Sequence, residues 1–276
     1  MKLNFDHGLN PGDTIKNKNL VKIFKISTQG GMRRSLTTNT LTLVSDYTRG
    51  IYNDRWVNDI LHYTGMGLEG DQRIDVSQNR TLAESSENGV EVFLFEVFES
   101  GEYIFQGQVK LVDKPYQEKQ LDKNENERNV WIFPLKLSNK PIVLSETILL
   151  KKQEKMEKAA NKLSDNELQR RLKYAKKNIG KRQVNSTSYE RNPLVAEYAK
   201  RRANGVCELC EQQAPFKTKR GEYYLESHHL IWLSKNGEDT INNTVALCPN
   251  CHRKMHSLNL KKDIRQLKAK AKTFMI

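Results

Sequence analysis

Two Cys-x-x-Cys pairs constrain the C-terminal part of this 276-residue chain more than any other feature. The first pair is Cys207 and Cys210, and the second pair, Cys248 and Cys251, follows after 37 intervening residues. Four thiolates with this spacing can bind one tetrahedral Zn²⁺ and fasten two distant loops together, whereas a redox dithiol needs one pair. We therefore expect one structural zinc. Free or redox-active cysteines are the alternative.

Four of the six histidines lie in the same region. His228 and His229 are adjacent, whereas His252 and His256 follow the second cysteine pair with a spacing of four. Residues four apart share one face of a helix, so these two imidazoles can bind the same metal ion. Asn243 lies between the two histidine pairs. The alternative is a second structural metal or a small polar core.

This region resembles the HNH nuclease family in its four-cysteine form, over about residues 203 to 258. The resemblance implies a ββα-metal fold, with the first two histidines on a hairpin and the last two on a helix. It implies that His229 is the general base and that Asn243 orients its imidazole. It also implies that His228, His252 and His256 bind one catalytic divalent ion such as Mg²⁺ or Mn²⁺. The motifs that carry the resemblance are Glu226-Ser-His-His229, Asn243 and Cys248-Pro-Asn-Cys-His252-Arg-Lys-Met-His256.

The first 140 residues are predicted to form a β-rich domain. Short apolar or alternating runs rich in β-branched and aromatic residues recur there between glycine-containing turns. The candidate strands are Leu20 to Ile26, Thr40 to Ser45, Val90 to Phe98, Tyr103 to Leu111 and Val130 to Leu137.

A glycine-containing motif in this domain does not fit a phosphate-binding loop, because no Lys-Ser/Thr pair follows it. It resembles the SRA family of modified-cytosine readers, over about residues 8 to 137, in the form fused to HNH nucleases in McrA-like type IV modification-dependent restriction endonucleases. The resemblance implies a β-barrel-type domain that flips a modified cytosine out of duplex DNA. The motifs are Tyr63-Thr64-Gly65-Met66-Gly67, Asp71-Gln72 and Asn79-Arg80-Thr81-Leu82.

The same resemblance assigns a base pocket. Asp54 would accept a hydrogen bond from the exocyclic amine, and Tyr63 would stack on the base beside Thr64. Tyr52 is a second aromatic candidate if the alignment shifts by one residue. The alternatives are core tyrosines with satisfied hydroxyl groups and a turn role for Asp54, and the identity of the modification stays open. The residues at the family's DNA-facing loop and second strand are Met32, Arg33 and Arg34.

A basic connector joins the two predicted domains. Residues 145 to about 177 are rich in charged helix formers and contain neither Gly nor Pro, which predicts one long solvated helix. Asn192-Pro193 then predicts the start of a short helix that ends near Arg202. We therefore expect an α+β chain with an SRA-like domain over residues 1 to 140, a helical linker over 141 to 192 and an HNH domain over 193 to 276.

The charge is divided unevenly along the chain. Residues 1 to 150 carry 18 Lys and Arg against 20 Asp and Glu, and residues 151 to 276 carry 28 against 13. The second part, with a net charge of +15, is expected to bind phosphate without sequence preference. A membrane protein is not expected, because no apolar run approaches the roughly 18 residues that a spanning helix needs. The polar first residues and localised cysteines favour a prokaryotic cytoplasm.

These features together predict an endonuclease that recognises 5-methylcytosine or a related 5-modified cytosine in duplex DNA and cuts nearby. One HNH site cuts one strand, so a homodimer is expected for a double-strand break. One alternative is a non-catalytic reader whose zinc module grips DNA. Another is an HNH nicking enzyme directed by sequence.

Overall fold

The computed structural model describes residues 5–48, 53–174 and 182–272. The chain divides into two compact units, Met1–Ser186 and Thr187–Ile276. The first unit includes residues 141 to 186, which the sequence suggested as part of a linker. Both units mix helices and strands, which confirms the α+β expectation. No helix in the described ranges is long and apolar enough to cross a membrane.

A nine-stranded sheet forms the centre of the first unit, with the strand order β2-β3-β6-β7-β9-β5-β4. In addition, β1 pairs with β7 and β8 pairs with β9. The pairing of β3 with β6 is parallel, and the other strand pairs of this sheet are antiparallel. The strands are β1 (Thr14–Ile15), β2 (Met32–Ser35), β3 (Thr40–Asp46), β4 (Arg55–Val57), β5 (Ile60–Thr64), β6 (Glu91–Val97), β7 (Tyr103–Leu111), β8 (Tyr116–Leu121) and β9 (Glu127–Leu137).

The sheet is open rather than barrel-like. Within the described residues, the path ends at β2 on one side and at β4 on the other, and these two strands do not pair. The expected barrel-type closure is therefore not observed, although the β-rich content is. The strand predicted at Tyr103–Leu111 has the same bounds in the structure, and three of the other candidates overlap β3, β6 and β9.

One strand prediction is wrong, because the segment predicted from Leu20 to Ile26 is mostly helix α1 (Asn17–Phe24). Leu20 and Phe24 are four residues apart and fully buried, so the apolar spacing has the period of a helix. They pack in a cluster with aromatic residues of β6 and β7 that include Phe95 and Phe105. A second helix, α2 (Ser77–Ala83), buries Leu82 in a separate core cluster of the sheet.

The connector segment forms two helices rather than the one predicted, α3 (Glu146–Ala160) and α4 (Asp165–Leu172). Ser164 starts α4 because its hydroxyl accepts from the Glu167 amide while the Glu167 carboxylate accepts from the Ser164 amide. The short strand β10 (Leu144–Ser145) precedes these helices in the sequence, and β11 (Val184–Asn185) follows them. The two strands pair in parallel.

The second unit has the ββα arrangement that the HNH resemblance implies. Its hairpin pairs β12 (Glu226–His229) with β13 (Thr244–Leu247). Helix α5 (Pro193–Ala203) begins at the Asn192 cap as predicted, and α6 (Pro249–Leu258) and α7 (Lys261–Lys272) follow the hairpin. A short 3₁₀ turn, Leu233–Lys235, lies in the loop between the strands. The core of this unit includes Ala199, Val245, Met255 and Leu267.

A buried ion pair joins α5 to the loop that carries Cys207 and Cys210 and to the hairpin. Arg202 donates to the Glu208 carboxylate from Nε at 2.8 Å and from Nη2 at 3.0 Å, and both side chains are almost fully buried. Arg202 also donates to the carbonyl oxygens of Ile241 and Thr244, whereas Glu208 accepts from the Ala246 amide. Each charge is thus hydrogen-bonded on several sides, which is the condition for tolerating a buried ion pair.

Arg202→Ala should destabilise the second unit, because it leaves Glu208 as a buried unpaired carboxylate. The expected loss in free energy of unfolding is about 3 to 5 kcal/mol, measured by denaturant unfolding of the full chain. The control is Arg201→Ala, which removes an exposed pair with Glu197 and should cost no more than ~0.5 kcal/mol. Equal effects of the two substitutions would contradict a central role for Arg202.

Candidate functional site

The four cysteine thiols converge. The sulfur atoms of Cys207, Cys210, Cys248 and Cys251 all lie within 4.8 Å of one another, and the Cys210 and Cys248 sulfurs are 3.9 Å apart. A tetrahedron with Zn–S bonds of ~2.3 Å has sulfur–sulfur edges of roughly 3.8 Å, so this cluster is suited to one zinc ion. The four ligands leave no position for a substrate, which is the pattern of a structural site.

A second cluster brings three of the predicted histidines together. One ring nitrogen from each of His228, His252 and His256 lies within 4.8 Å of the other two. Strand β12 supplies His228, and α6 supplies the other two from one face, while Met255 and Cys251 on the adjoining face are buried in the core. The cluster lines a cleft of about 150 Å³ that is also lined by Tyr189 and Arg191.

His228 is the buried member of this cluster. It is 2% exposed, and both of its ring nitrogens are buried without a hydrogen-bond partner. Burial, and then the neighbouring imidazoles of His252 and His256, lower the pKa of His228 to about 3, so the ring is neutral and carries a free lone pair. A buried polar atom without a partner costs about 1 to 3 kcal/mol, and a metal ion would satisfy it.

The other two histidines are oriented for the same ion. Their Nε2 atoms are 3.0 Å apart, which matches the separation of roughly 2.9 to 3.4 Å for two nitrogens on one ion at ~2.1 Å. Nδ1 of His252 lies 2.5 Å from a carboxylate oxygen of Glu226. A carboxylate behind a ligating imidazole fixes its tautomer and increases its basicity. The three histidines therefore fit a divalent cation.

His229 follows His228 in β12 and lines the same cleft, although it is not one of the three clustered histidines. Its Nε2 lies 2.8 Å from Oδ1 of Asp239, and the ring is 7% exposed. Hydrogen bonds from the Asn192 amide and the His229 ring hold the pKa of Asp239 below its usual range. An ionised Asp239 accepts from Nε2–H and leaves the Nδ1 lone pair of His229 available as a base.

Asn243 has a different contact from the expected one. Its Oδ1 accepts from the Ile231 amide at 2.8 Å, and its Nδ2 donates to the carbonyl oxygens of Ile231 and Glu238. Asp239, not Asn243, thus contacts the His229 imidazole, and Asn243 fastens the loop that carries Asp239. Gly237 permits this tight loop, since a Cβ there would lie 1.9 Å from the Ile231 carbonyl oxygen.

Two acidic residues at this site, Glu226 and Asp239, were not assigned a role from the sequence. Glu226 lies two residues before His228 on the same strand face, so strand periodicity could have identified it. Asp239 lies in the loop between the strands, where no periodicity constrains its side chain.

In the first unit, Asp54 is half-buried and bonded within the fold. Its carboxylate accepts from the Thr64 amide and from the Ser45 hydroxyl, both at 2.8 Å. Burial raises the pKa of Asp54 to about 6 despite these bonds. The charge of Glu96 nearby contributes to the same rise. An anionic group with this environment is suited to receive another hydrogen-bond donor.

Tyr63 lies in the hydrophobic core with its hydroxyl group bonded, as in the alternative to base stacking. It is 2% exposed in the main core cluster, and its hydroxyl donates to the Gly31 carbonyl oxygen at 2.7 Å. Stacking on a base would require this ring to leave its packing. Thr64 is also buried, and Tyr52 lies outside the described residues.

Two of the three residues expected to face DNA are buried. Met32 and Arg33 are each 4% exposed, because β2 is paired along its length with β3 and packs on the core. Arg33 donates to the Gly30 carbonyl and to the Asn17 side chain and lies over the Tyr103 ring. In this structure, neither of these two side chains is exposed at the surface. Arg34 is partly exposed and bonds to Asn39 and Thr40.

The later SRA motif residues anchor the loop that follows Tyr63-Thr64. The Gln72 side chain accepts from the Trp131 amide and donates to the Gly65 carbonyl. The Asn79 side chain accepts from the Met66 amide and donates to the Met66 and Arg73 carbonyl oxygens. These residue types therefore serve the loop conformation.

Comparison with known protein families agrees with this geometry. A family model described as "ScoMcrA-like, SRA domain" matches residues 11–151, which is half of the chain. The chain belongs to this ScoMcrA-like SRA family. A second model, for the HNH endonuclease family, matches residues 207–258 and includes the four cysteines and the clustered histidines.

Individual relatives share parts of this architecture. EcoKMcrA of Escherichia coli (strain K12), a type IV methyl-directed restriction enzyme, is 49% identical over 80 residues, 29% of each chain. The chain thus matches less than a third of that relative's length. The type IV phosphorothioation-dependent restriction endonuclease ScoMcrA has 23% identity and a TM-score of 0.40, over 95% of this chain and 63% of its own. The modification-dependent restriction endonuclease TagI has 19% identity and a TM-score of 0.36, over 91% and 78%.

Cys210→Ser should abolish zinc binding and unfold the second unit, because structural zinc contributes roughly 10 kcal/mol or more in small metal-bound modules. Elemental analysis should show about one zinc per wild-type chain and none in the variant. Glu211→Ala, at the exposed neighbouring position, should keep both zinc and folding. A zinc-free wild type with the same melting curve as the variant would refute the structural ion.

Proposed function

We propose that the chain is a modification-dependent DNA endonuclease, in which the SRA domain recognises 5-methylcytosine or a related 5-modified cytosine and the HNH domain cleaves nearby. The observation that carries the nuclease assignment is the buried, unpartnered His228 beside His252 and His256 in an open cleft. A single-purpose DNA-gripping module would need neither this cluster nor the oriented His229. The modification dependence is supported by the SRA family membership.

In the proposed reaction, His229 removes a proton from the attacking water with Nδ1. Asp239 holds the ring through Nε2 and stabilises the positive charge that the ring gains, as a carboxylate does behind a catalytic histidine. Asn243 keeps the loop of Asp239 closed through its bonds to Ile231 and Glu238. Asp239 and Asn243 are thus positioning residues.

The three clustered histidines would hold one divalent cation, such as Mg²⁺ or Mn²⁺, and Glu226 would orient His252. Such an ion supplies Lewis-acid stabilisation of charge on the scissile phosphate and the leaving oxygen. Arg191 lines the same cleft and brings a positive charge to where phosphate would lie. The four thiols would hold a separate structural Zn²⁺.

For the reading step, we propose that Asp54 accepts a hydrogen bond from the exocyclic amine of a flipped cytosine. The side chain is half-buried, so such a bond is partly shielded from water and is stronger than one at the surface. Tyr63 and Thr64 are retained as neighbours that shape this site, and Arg34 as a DNA contact. The division into residues 1 to 140, 141 to 192 and 193 to 276 and the homodimer needed for a double-strand break are proposals of the same kind.

Two alternatives remain testable. A non-catalytic reader would bind modified DNA without cutting it with any divalent metal. A sequence-directed nicking enzyme would cut unmodified plasmid at the same rate as modified plasmid.

His229→Ala should reduce cleavage of modified duplex about 10²- to 10⁴-fold, because the positioned base is lost, while affinity for the duplex is retained. Single-turnover cleavage and gel-shift titration would measure the two effects. Asp239→Asn keeps a similar shape and should cause a smaller loss in kcat with little change in KM. Cleavage by His229→Ala within a few-fold of wild type would place the base elsewhere.

Asp54→Ala should lower affinity for modified DNA about ten- to hundredfold, since the exocyclic amine would be buried without an acceptor. Affinity for unmodified DNA and its salt dependence should hardly change, because phosphate contacts supply them. Titrations of matched duplexes at several salt concentrations would measure both. An equal loss on both duplexes would mean that Asp54 is a scaffold residue.

A further inference from the structure

A buried carboxylate lies beside Asp54 and is bound by an arginine of the connector. Glu96 in β6 is fully buried, and its register partner in β3 is Ser45, which is bonded to Asp54. Trp56, two residues after Asp54, donates from Nε1 to Glu96 at 2.9 Å. Ser45 and Trp56 therefore bring Asp54, which precedes β4, close to Glu96.

The cation on this carboxylate comes from a distant part of the chain. Arg182 donates to Glu96 from Nη1 at 2.9 Å and from Nη2 at 2.6 Å, with 16% of its side chain exposed. The residue precedes β11, whose pairing with β10 holds this end of the connector on the first unit. Glu96 thus has a bidentate partner that lies 86 residues away along the chain.

Aromatic rings surround the ion pair. The Arg182 guanidinium carbon lies 5.4 Å from the Trp56 ring centre and 5.8 Å from that of Phe98. Tyr47 stacks on Phe98, with ring centres 5.1 Å apart, and donates to Glu96 at 2.8 Å. A second connector cation, Lys152, places Nζ 3.3 Å from the Tyr47 ring centre.

This set has the chemistry of a site for a planar base with an amine. A flipped cytosine presents a π face and an exocyclic NH₂ donor, and it needs aromatic surface and an acceptor. A guanidinium is also planar, donates N–H bonds and stacks on rings. Arg182 therefore occupies, with ligand-like contacts, the acceptor and ring surface beside Asp54.

We propose that Arg182 is a displaceable plug of the modified-base pocket, and that Glu96, with Tyr47 and Trp56, forms part of that pocket. In this structure Arg182 binds Glu96 and lies over Trp56 and Phe98, while Lys152 lies over Tyr47. An entering modified cytosine takes the place of the guanidinium, so base recognition releases the end of the connector. The inference rests on the proposed reading of modified cytosine at Asp54.

A plug lowers the apparent affinity for the base, because binding requires the fraction of molecules in which the pocket is open. Removing Arg182 should therefore strengthen binding of modified DNA even though it removes a positive charge. If Arg182 instead bound phosphate, removing it would weaken the binding of DNA. The two roles can be separated by the direction of the change.

The test measures fluorescence anisotropy of a duplex with one 5-methylcytosine and of its unmodified match, with full-length chains that carry His229→Ala so that the DNA stays intact. Arg182→Ala should bind the modified duplex about tenfold more tightly than the parent. Arg170→Ala is the matched control, since it removes the same charge from an exposed connector pair with Glu125. Both variants should bind the unmodified duplex alike.

Arg182→Lys keeps the charge but loses the bidentate hydrogen bond to Glu96. It should give a smaller gain in affinity for the modified duplex than Arg182→Ala. It decides the question if thermal melting shows that Arg182→Ala does not fold. Equal binding by Arg182→Ala and Arg170→Ala on both duplexes would overturn the plug, and so would selective loss of modified-DNA binding. If the parent prefers modified DNA but Arg182→Ala shows no gain in affinity, the plug is refuted and the proposed reading step is not. No preference in the parent or the variants refutes the proposed reading step as well.

Discussion

Convergence of four thiols from two loops is the constraint on which the second unit depends. Cys248 is both a thiol of this cluster and the residue that caps α6, so the start of the helix is fixed by the same residue that would bind zinc. The helix then presents His252 and His256 on the face next to its core residues Cys251 and Met255. The hairpin that precedes it brings His228 to the same point. The geometry of the histidine cluster therefore depends on the cluster of four cysteine thiols.

The buried polar groups of the two units differ in how their hydrogen bonds are satisfied. Arg202 and Glu208 form an ion pair and also bond to several backbone groups, so their role is to stabilise the fold. Both ring nitrogens of His228 are without a hydrogen-bond partner, which fits the proposed role of this side chain in binding a metal ion. Glu96 is satisfied by a partner that arrives from the connector. A buried charge that is satisfied from a distant segment can couple that segment to whatever displaces it.

How much the sequence could predict depended on how local each feature is. The members of both clusters could be predicted from spacing, because the two cysteines of a Cys-x-x-Cys pair, and two histidines four apart on a helix, lie close together locally. Leu20 to Ile26 was mistaken for a strand because its β-branched residues outweighed the helical spacing of Leu20 and Phe24. The contacts of Asp239 and Arg182 could not be predicted, since a loop conformation and an 86-residue separation determine them. Tyr63 matched a family motif by position, and its burial is a property of the packed sheet alone.

The most direct test of the proposed function compares three matched plasmids that carry unmodified cytosine, 5-methylcytosine or 5-hydroxymethylcytosine, incubated with the full-length chain and Mg²⁺ or Mn²⁺. The account predicts metal-dependent cleavage of at least one modified plasmid while the unmodified plasmid stays intact at the same protein concentration. Equal cleavage of all three plasmids would contradict modification dependence. Binding of modified plasmid without cleavage under any divalent metal would contradict the nuclease assignment.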